Sequence, residues 1–571
     1  NCCCCCGSSV PVDQQGWTSK QKADHFRLNE TQYHLGFLPT EQSNPITKNL
    51  TKDFQESGEK GIESLLKVDL DIIPVANRIL QSDNYKKLVQ VGLETIKSKN
   101  RIIFSGCGST GRLSILLQTI WKRGCRDAGK LDLQYQVEGI QTGGDFAVVR
   151  CIPSFEDFKA VGAKQCEELN VTDKDMFVAI TEGGETSSVI GSLEEADRRG
   201  AKCFLMFNNP ADILVKHIER SKQVIENPRV TVFDLFSGPM SIAGSTRMQA
   251  TTSEMLIAGS MLEIVAAEVL FGKSIEYDFG KAFEDMLNQL IKNKKALADY
   301  TTLESEIYKQ KGLVTYFATD YMIDIFTDTT ERTPTFMLPP FKTDADISKV
   351  EPWTFVKHLS LPTDKAFENL FERKPSCLEW TREDYIKMGM IEKIPAKLPA
   401  LSLKDLEQFQ IGCEPMPSRY SSQVNLAVLF KGNGDKSGHE QFEQVRKEFS
   451  QFATLDIGGQ TGQFNVPLKI EETPLNLIFR LALKVALNTI STGAMVRVGR
   501  TLNNWMTNVS VSNKKLTDRA IRIISDLGQL SYEQACDLLF ECKDEVDAMP
   551  QEKKENISLV IYALKKIGKY E

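Results

Sequence analysis

At 571 residues the chain is too long for one ordinary core, and length alone implies two to four domains. Its 69 basic and 76 acidic residues are interleaved, with a formal net charge of -7, so neither nucleic acid nor an anionic membrane face is an expected partner. No apolar run reaches the ~18 residues needed to span a bilayer, and no basic-then-apolar leader marks it for secretion, so the expected location is the cytoplasm.

Five consecutive cysteines, Cys2, Cys3, Cys4, Cys5 and Cys6, cannot pair with one another in normal disulfide geometry and lack nearby histidines for a metal. Two readings stay open: reversible S-acylation with membrane association, for which a Met-Gly ahead of Asn1 would supply a signal, or a disordered tail. Residues 7 to 37 are polar and aperiodic and read as a tether, so 1–37 is taken as a tail. The other nine cysteines, from Cys107 to Cys542, are scattered without a C-x-x-C pair and read as reduced thiols.

From Lys60 the apolar spacing is helical through "IESLLKVDLDIIPVANRIL" and "NYKKLVQVGLETIKSKN", up to residue 100, and a strand is predicted at "RIIFS". Alternating units follow: a helix at "GRLSILLQTIWKRG", a strand near "LDLQYQVEGI", a helix through "FEDFKAVGAKQCEEL", the strand "DMFVAI", the helix "SSVIGSLEEADRRG", then strands "AKCFLMF" and "RVTVFDLF". Such alternation predicts an α/β fold, a doubly wound parallel sheet with helices on both faces. Residues 244–272 read as one long helix opened by hydroxyl residues, closing a first unit at 38–273. A second, diverged unit at 274–500 repeats the order with strand "GLVTYFATD", helix "YMIDIFTDTT" and strand "QVNLAVLF", so the chain reads as a pseudo-dimer able to act as a monomer. Residues 341–417, rich in proline and charge, show no clear period. From Thr501 a helical cap at 501–571 is predicted, with Ser531 and Gln534 spaced as a capping box.

Gly106, Gly108 and Gly111 make G-x-G-x-x-G between a strand and a helix. A dinucleotide fold would need an earlier carboxylate than Glu138, and a Walker loop would need Lys and Ser/Thr where Arg112 and Leu113 stand. What remains is a helix start with Ser109 and Thr110, suited to an anion. "TEGGETSS" and "AGSTRM" repeat the design, and three such loops at one sheet edge would form a crevice for a phosphorylated small molecule. The five histidines are dispersed, so no metal is expected, and no cofactor is implied.

"SGCGSTGR", "AGSTRM", "PTEQSNPIT" and "NTISTGAMVRVGRTLNNWMTNVSVSNKKLTDRAIRI" resemble the sugar isomerase (SIS) domain family. Within it they are similar to two branches, the bacterial N-acetylmuramic acid 6-phosphate etherases and the animal glucokinase regulatory proteins; two units in one chain is the regulators' architecture. The resemblance implies ligand contacts from Gly108, Ser109 and Thr110 on the first loop, Thr181 and Gly183 on the second, Ser245 and Thr246 on the third, and Lys515 from the cap. It also implies Glu156 and Glu331 at the sugar, catalytic in an etherase and hydroxyl-binding in a regulator. Glu331 would come from the second unit, within "DTTERTPTF". Where etherases place a phosphate-binding serine and an arginine, this chain has Gly183 and Glu185, and Gln249 replaces a lysine. Three functions follow as expectations: a sugar-phosphate-binding regulator with a sugar kinase as partner, an etherase releasing D-lactate, or a scaffold without ligand, held at a membrane by its cysteines.

Overall fold

A computed structural model describes residues 16–343, 346, 350–390, 398–420, 424–554 and 557–570. The cysteine run, and with it the acylation reading, lies outside the described residues.

Two five-stranded parallel sheets carry the fold. β1 (Ile102–Gly106), β2 (Val137–Gln141), β3 (Met176–Ile180), β4 (Lys202–Phe207) and β5 (Val230–Asp234) lie in the order β2-β1-β3-β4-β5. β6 (Leu313–Ala318), β7 (Thr354–His358), β8 (Asn425–Gly432), β9 (Gln451–Gly458) and β10 (Phe464–Pro467) lie in the order β7-β6-β8-β9-β10. Counted from its own first strand, each sheet has the same winding, which reverses direction between its first and third strands. In such folds the crevice at the carboxyl ends of those two strands is where ligands bind. Every residue of β1, β3, β6, β7 and β8 is buried, because helices cover both faces; hence runs such as "MFVAI" rather than alternation.

The expected α/β architecture, two doubly wound sheets with C-terminal helices, is therefore present. A spine joins its halves: the helix Gln249–Phe271 packs on the helix Leu477–Val498, and a Cβ added at Gly259 would lie 2.3 Å from Leu477 Cδ1. Leu477–Val498 is apolar and long enough to cross a membrane by composition, but its most apolar stretch is wholly buried within the protein, as a core helix is.

Several elements differ from the expectation. Residues 19–29 are no tether: Ser19–Asn29 is a helix, opened by a Thr18/Gln21 capping box, that buries Ala23 and Phe26 against Ile521, Ile524 and Leu539 of the cap. Only two of its apolar side chains are buried, so its order comes from docking rather than from its own pattern. β7 lies in the segment without a period, and neither β9 nor β10 is among the expected strands; β7 pairs with β6, β9 with β8, and β10 with β9 just before it. The long helix starts at Gln249 rather than near Gly244, which leaves Ser245 and Thr246 in a loop. The capping box at Ser531 and Gln534 forms as expected.

Candidate functional site

The three glycines of the first loop have separate steric reasons. A Cβ at Gly106 would strike the Thr110 backbone at 2.3 Å, and one at Gly111 would lie 1.8 Å from Gln141 Oε1. Gly108 has φ +58° and ψ -123°, a conformation open in practice only to glycine. These contacts draw the start of the helix Ser109–Asp127 onto the sheet edge. The first backbone bond of the helix runs from Arg112 N to Gly108 O at 3.0 Å, so the amides of Ser109, Thr110 and Gly111 precede the ladder and form the positive end of the dipole.

Ser109 keeps a hydroxyl without an intramolecular partner among the described residues. Thr110 instead ties the loop: buried, its hydroxyl receives Cys107 N at 3.1 Å and donates to Cys107 O at 3.0 Å. Thr181, at the end of β3, is likewise buried and donates to Thr186 Oγ1 at 3.1 Å. Gly183 offers its carbonyl to Asn209 Nδ2 at 3.0 Å. On the third loop Ser245 Oγ is buried without a partner among the described residues, and Thr246 is half-buried. The Cys107 thiol is pushed well up by burial, with Glu156 and Glu182 adding to the shift, which disfavours the thiolate.

Glu331 comes from the second unit and meets the first at the glycine loop, with Oε1 3.5 Å from the position of a Gly108 Cβ. Arg112, with no exposed surface, donates to it while its other nitrogens hold Val148 O at 2.9 Å and Ala147 O at 2.7 Å. Glu156 follows a turn at Pro153–Phe155 and accepts from Asn513 Nδ2 of the cap at 2.9 Å. Burial pushes its carboxyl up to about 7; Lys515 opposes this, while Asp157 and Glu185 add to it. Glu182 is also pushed to about 7 by burial, with Glu331 and Glu156 adding and Lys515 opposing. Glu156, Glu182, Glu331 and Lys515 therefore act on one another's charge, and Glu331 is the one set against Gly108 of the first loop.

Lys515 is held by Glu185, Nζ to Oε1 at 2.6 Å, and Arg220 Nη2 takes the other oxygen at 2.8 Å. Burial alone would raise the Glu185 carboxyl, but Lys515 and Arg220 bring it down to about 2. Beside them Arg519 forks onto Glu41 at 2.9 and 2.7 Å, and a Cβ at Gly244 would lie 2.6 Å from Arg519 Nε. Sequence reasoning missed Asn513, Arg220 and Arg519, and used Arg112 only to reject a Walker loop. The available signal was position: Arg112 directly follows the glycine motif, and Asn513 directly precedes the lysine pair.

At the matching edge of the second sheet the space is filled. Tyr321, with φ +62°, packs on Gly432 and edge-on to Phe479, and Arg480 lies over its ring at 4.8 Å. Asp320 beside it pairs with Arg123 of the first unit.

Residues 85–197 match the family model of the glucokinase regulatory protein N-terminal SIS domain. An N-acetylmuramic acid 6-phosphate etherase from Clostridium acetobutylicum is 28% identical over 272 residues, covering 47% of this chain and 78% of that protein. N-acetylmuramic acid 6-phosphate etherase 1 from Bacillus licheniformis is 27% identical over 248 residues, covering 43% and 72%. Among solved structures, tagatose-6-phosphate ketose/aldose isomerase from Escherichia coli aligns with a TM-score of 0.41 at 10% identity, over 77% of this chain and 94% of that one. The family match takes in β1, the glycine loop, the helix after it and the loop after β3, so over residues 85–197 this chain is similar to a SIS domain.

Proposed function

We propose that this chain binds a phosphorylated sugar or sugar derivative at the seam of its two α/β units and acts as a regulatory protein of the glucokinase-regulator type. The observation that carries the reading is the three-part build of the site: loops of the first unit, Glu331 from the second, and Asn513 and Lys515 from the cap. A ligand there touches every moving part, so its occupancy shifts their relative arrangement, and a partner such as a sugar kinase reads that shift. The hydroxyls of Ser109 and Ser245, unpaired among the described residues, and the helix-start amides supply donors for the ligand. The family match at residues 85–197 supports the same reading.

A second reading is a lyase that releases D-lactate from N-acetylmuramic acid 6-phosphate, as the names of the etherase relatives suggest. Glu156 at about 7 suits proton transfer near neutral pH. Against it, Glu331 Oε1 is engaged as the acceptor of Arg112, so that oxygen is already occupied where a leaving oxygen would need it.

A thermal-shift series with fructose 6-phosphate, fructose 1-phosphate, glucosamine 6-phosphate and N-acetylmuramic acid 6-phosphate tests both. At about 100 times Kd a ligand adds roughly 2.7 kcal/mol to the native state. A shift without lactate is the expected result; lactate release that disappears in Glu156→Gln would make the protein a lyase. For the cysteine run the proposal is S-acylation, and replacing the five cysteines by serine should then abolish recovery of the protein with membranes.

A further inference from the structure

In its second loop the site contains a negative charge of its own where the proposed ligand would bring one. The backbone of that loop is fixed without the Glu185 side chain: Asn209 holds Gly183 O at 3.0 Å, Ser221 holds Gly184 O at 2.7 Å, and Arg220 Nε holds Glu185 O. The Glu185 carboxylate is therefore free of any duty in shaping the turn, and its two oxygens are spent on two cations, Lys515 and Arg220. A phosphate presents the same chemistry, several anionic oxygens that accept from ammonium and guanidinium groups.

We propose that Glu185 is an internal competitor of the ligand's phosphate: a phosphosugar binds by displacing the Glu185 carboxylate from Lys515, and Glu185 thereby sets the affinity threshold of the site. The inference rests on the phosphosugar-binding reading above. Here the cap is joined to the first unit through Asn513 on Glu156 and Lys515 on Glu185, with Arg519 on Glu41 beside them. Asn513 also caps its own helix, Lys514–Gly528, accepting from Leu516 N at 2.8 Å, so Lys515 is held one turn-start away at a fixed height over the loop. Exchange of a carboxylate for a phosphate on Lys515 leaves the cap seated and changes only which anion holds it. Selectivity follows: a neutral sugar gains nothing from the exchange, and a ligand must bring enough anionic charge to outcompete a buried, doubly paired carboxylate.

The test measures binding of inorganic phosphate, fructose 6-phosphate and fructose to the full chain as wild type, Glu185→Gln and Glu185→Asp by calorimetry. Glu185→Gln should bind both phosphate probes about tenfold or more tighter than wild type, with fructose unaffected, while Glu185→Asp, which keeps the charge, stays near wild type. If fructose 6-phosphate binds wild type and Glu185→Gln equally, or the variant more weakly, the competitor role is overturned and the functional reading stands. If Glu185→Gln gains inorganic phosphate while no form binds fructose 6-phosphate, the competitor role stands and the phosphosugar reading fails. No binding of any probe to any form overturns both. Wild type alone also decides it, should the variant not fold: a crystal structure with fructose 6-phosphate in which Lys515 still holds Glu185 overturns the proposal.

Discussion

Glu156 bears the cost of its burial as an increased affinity for a proton. Its carboxyl sits at about 7 in the folded chain, against about 4.3 for an unfolded one. Between those values the native state holds more protons than the unfolded state, so this contribution to stability falls as pH rises through that window, and Glu182 acts with the same sign. Glu185 works in the opposite sense. Its folded carboxyl lies at about 2, so the stability it contributes is complete above its unfolded value and is lost as pH falls towards the folded one. Glu156→Gln should therefore lose less melting temperature than wild type between about pH 5 and pH 8. An unchanged slope would mean that the Glu156 carboxyl is not what titrates.

Among the elements, the junction of the two units depends on charges removed from water. Arg247, on the loop before the long helix, bonds Asp328 at 2.7 Å; Asp328 also holds Arg332 at 2.9 Å, and Arg332 reaches Glu304 at 2.6 Å. All four side chains are almost fully buried. Asn488 and Ser491 from the helix Leu477–Val498 complete the shell of Asp328. Taking away one member strands the others, so Asp328→Ala should cost about 3–5 kcal/mol, read as a fall in the urea midpoint. The residues flanking Glu331 in "DTTERTPTF" thus serve the joint, while Glu331 itself turns to the glycine loop. No period or motif in that stretch distinguishes the two roles; the partners that do, Arg247 and Arg112, lie in the other unit.

Across the whole molecule, the N-terminal helix Ser19–Asn29 completes the C-terminal cap that carries Lys515. Phe26 is buried among Ile521, Ile524 and Leu539. Phe26→Ala should cost about 3–5 kcal/mol locally, and hydrogen exchange should show faster opening of Lys514–Gly528 while β1 and β3 remain protected. Equal loss of protection in cap and sheets would mean that the cap does not open separately.

The sheets of the first unit were legible because buried parallel strands and their crossover helices write two distinct periods into the chain. The glycine loop was legible because its constraints are local: each glycine answers to atoms within a few residues or on the adjacent strand. β7, β9 and β10 were not: β7 lies in a stretch without a period, and β9 and β10, at or near the sheet edge, are only partly buried and so lack the continuous apolar run of a central strand. The resemblance implied Glu156, Glu331 and Lys515 at one ligand; in the structure Glu331 meets the first loop at Gly108, Lys515 meets Glu185 of the second, and Glu156 meets Asn513 of the cap. What only the tertiary structure decided is how they are held: Arg112 on Glu331 across 219 residues, Asn513 on Glu156 across 357, and Glu185 on Lys515 across 330. Local sterics and periodicity act within a helix turn or a strand pair and so are written in the sequence, whereas the pairing of buried charges depends on which surfaces meet once both units and the cap have folded.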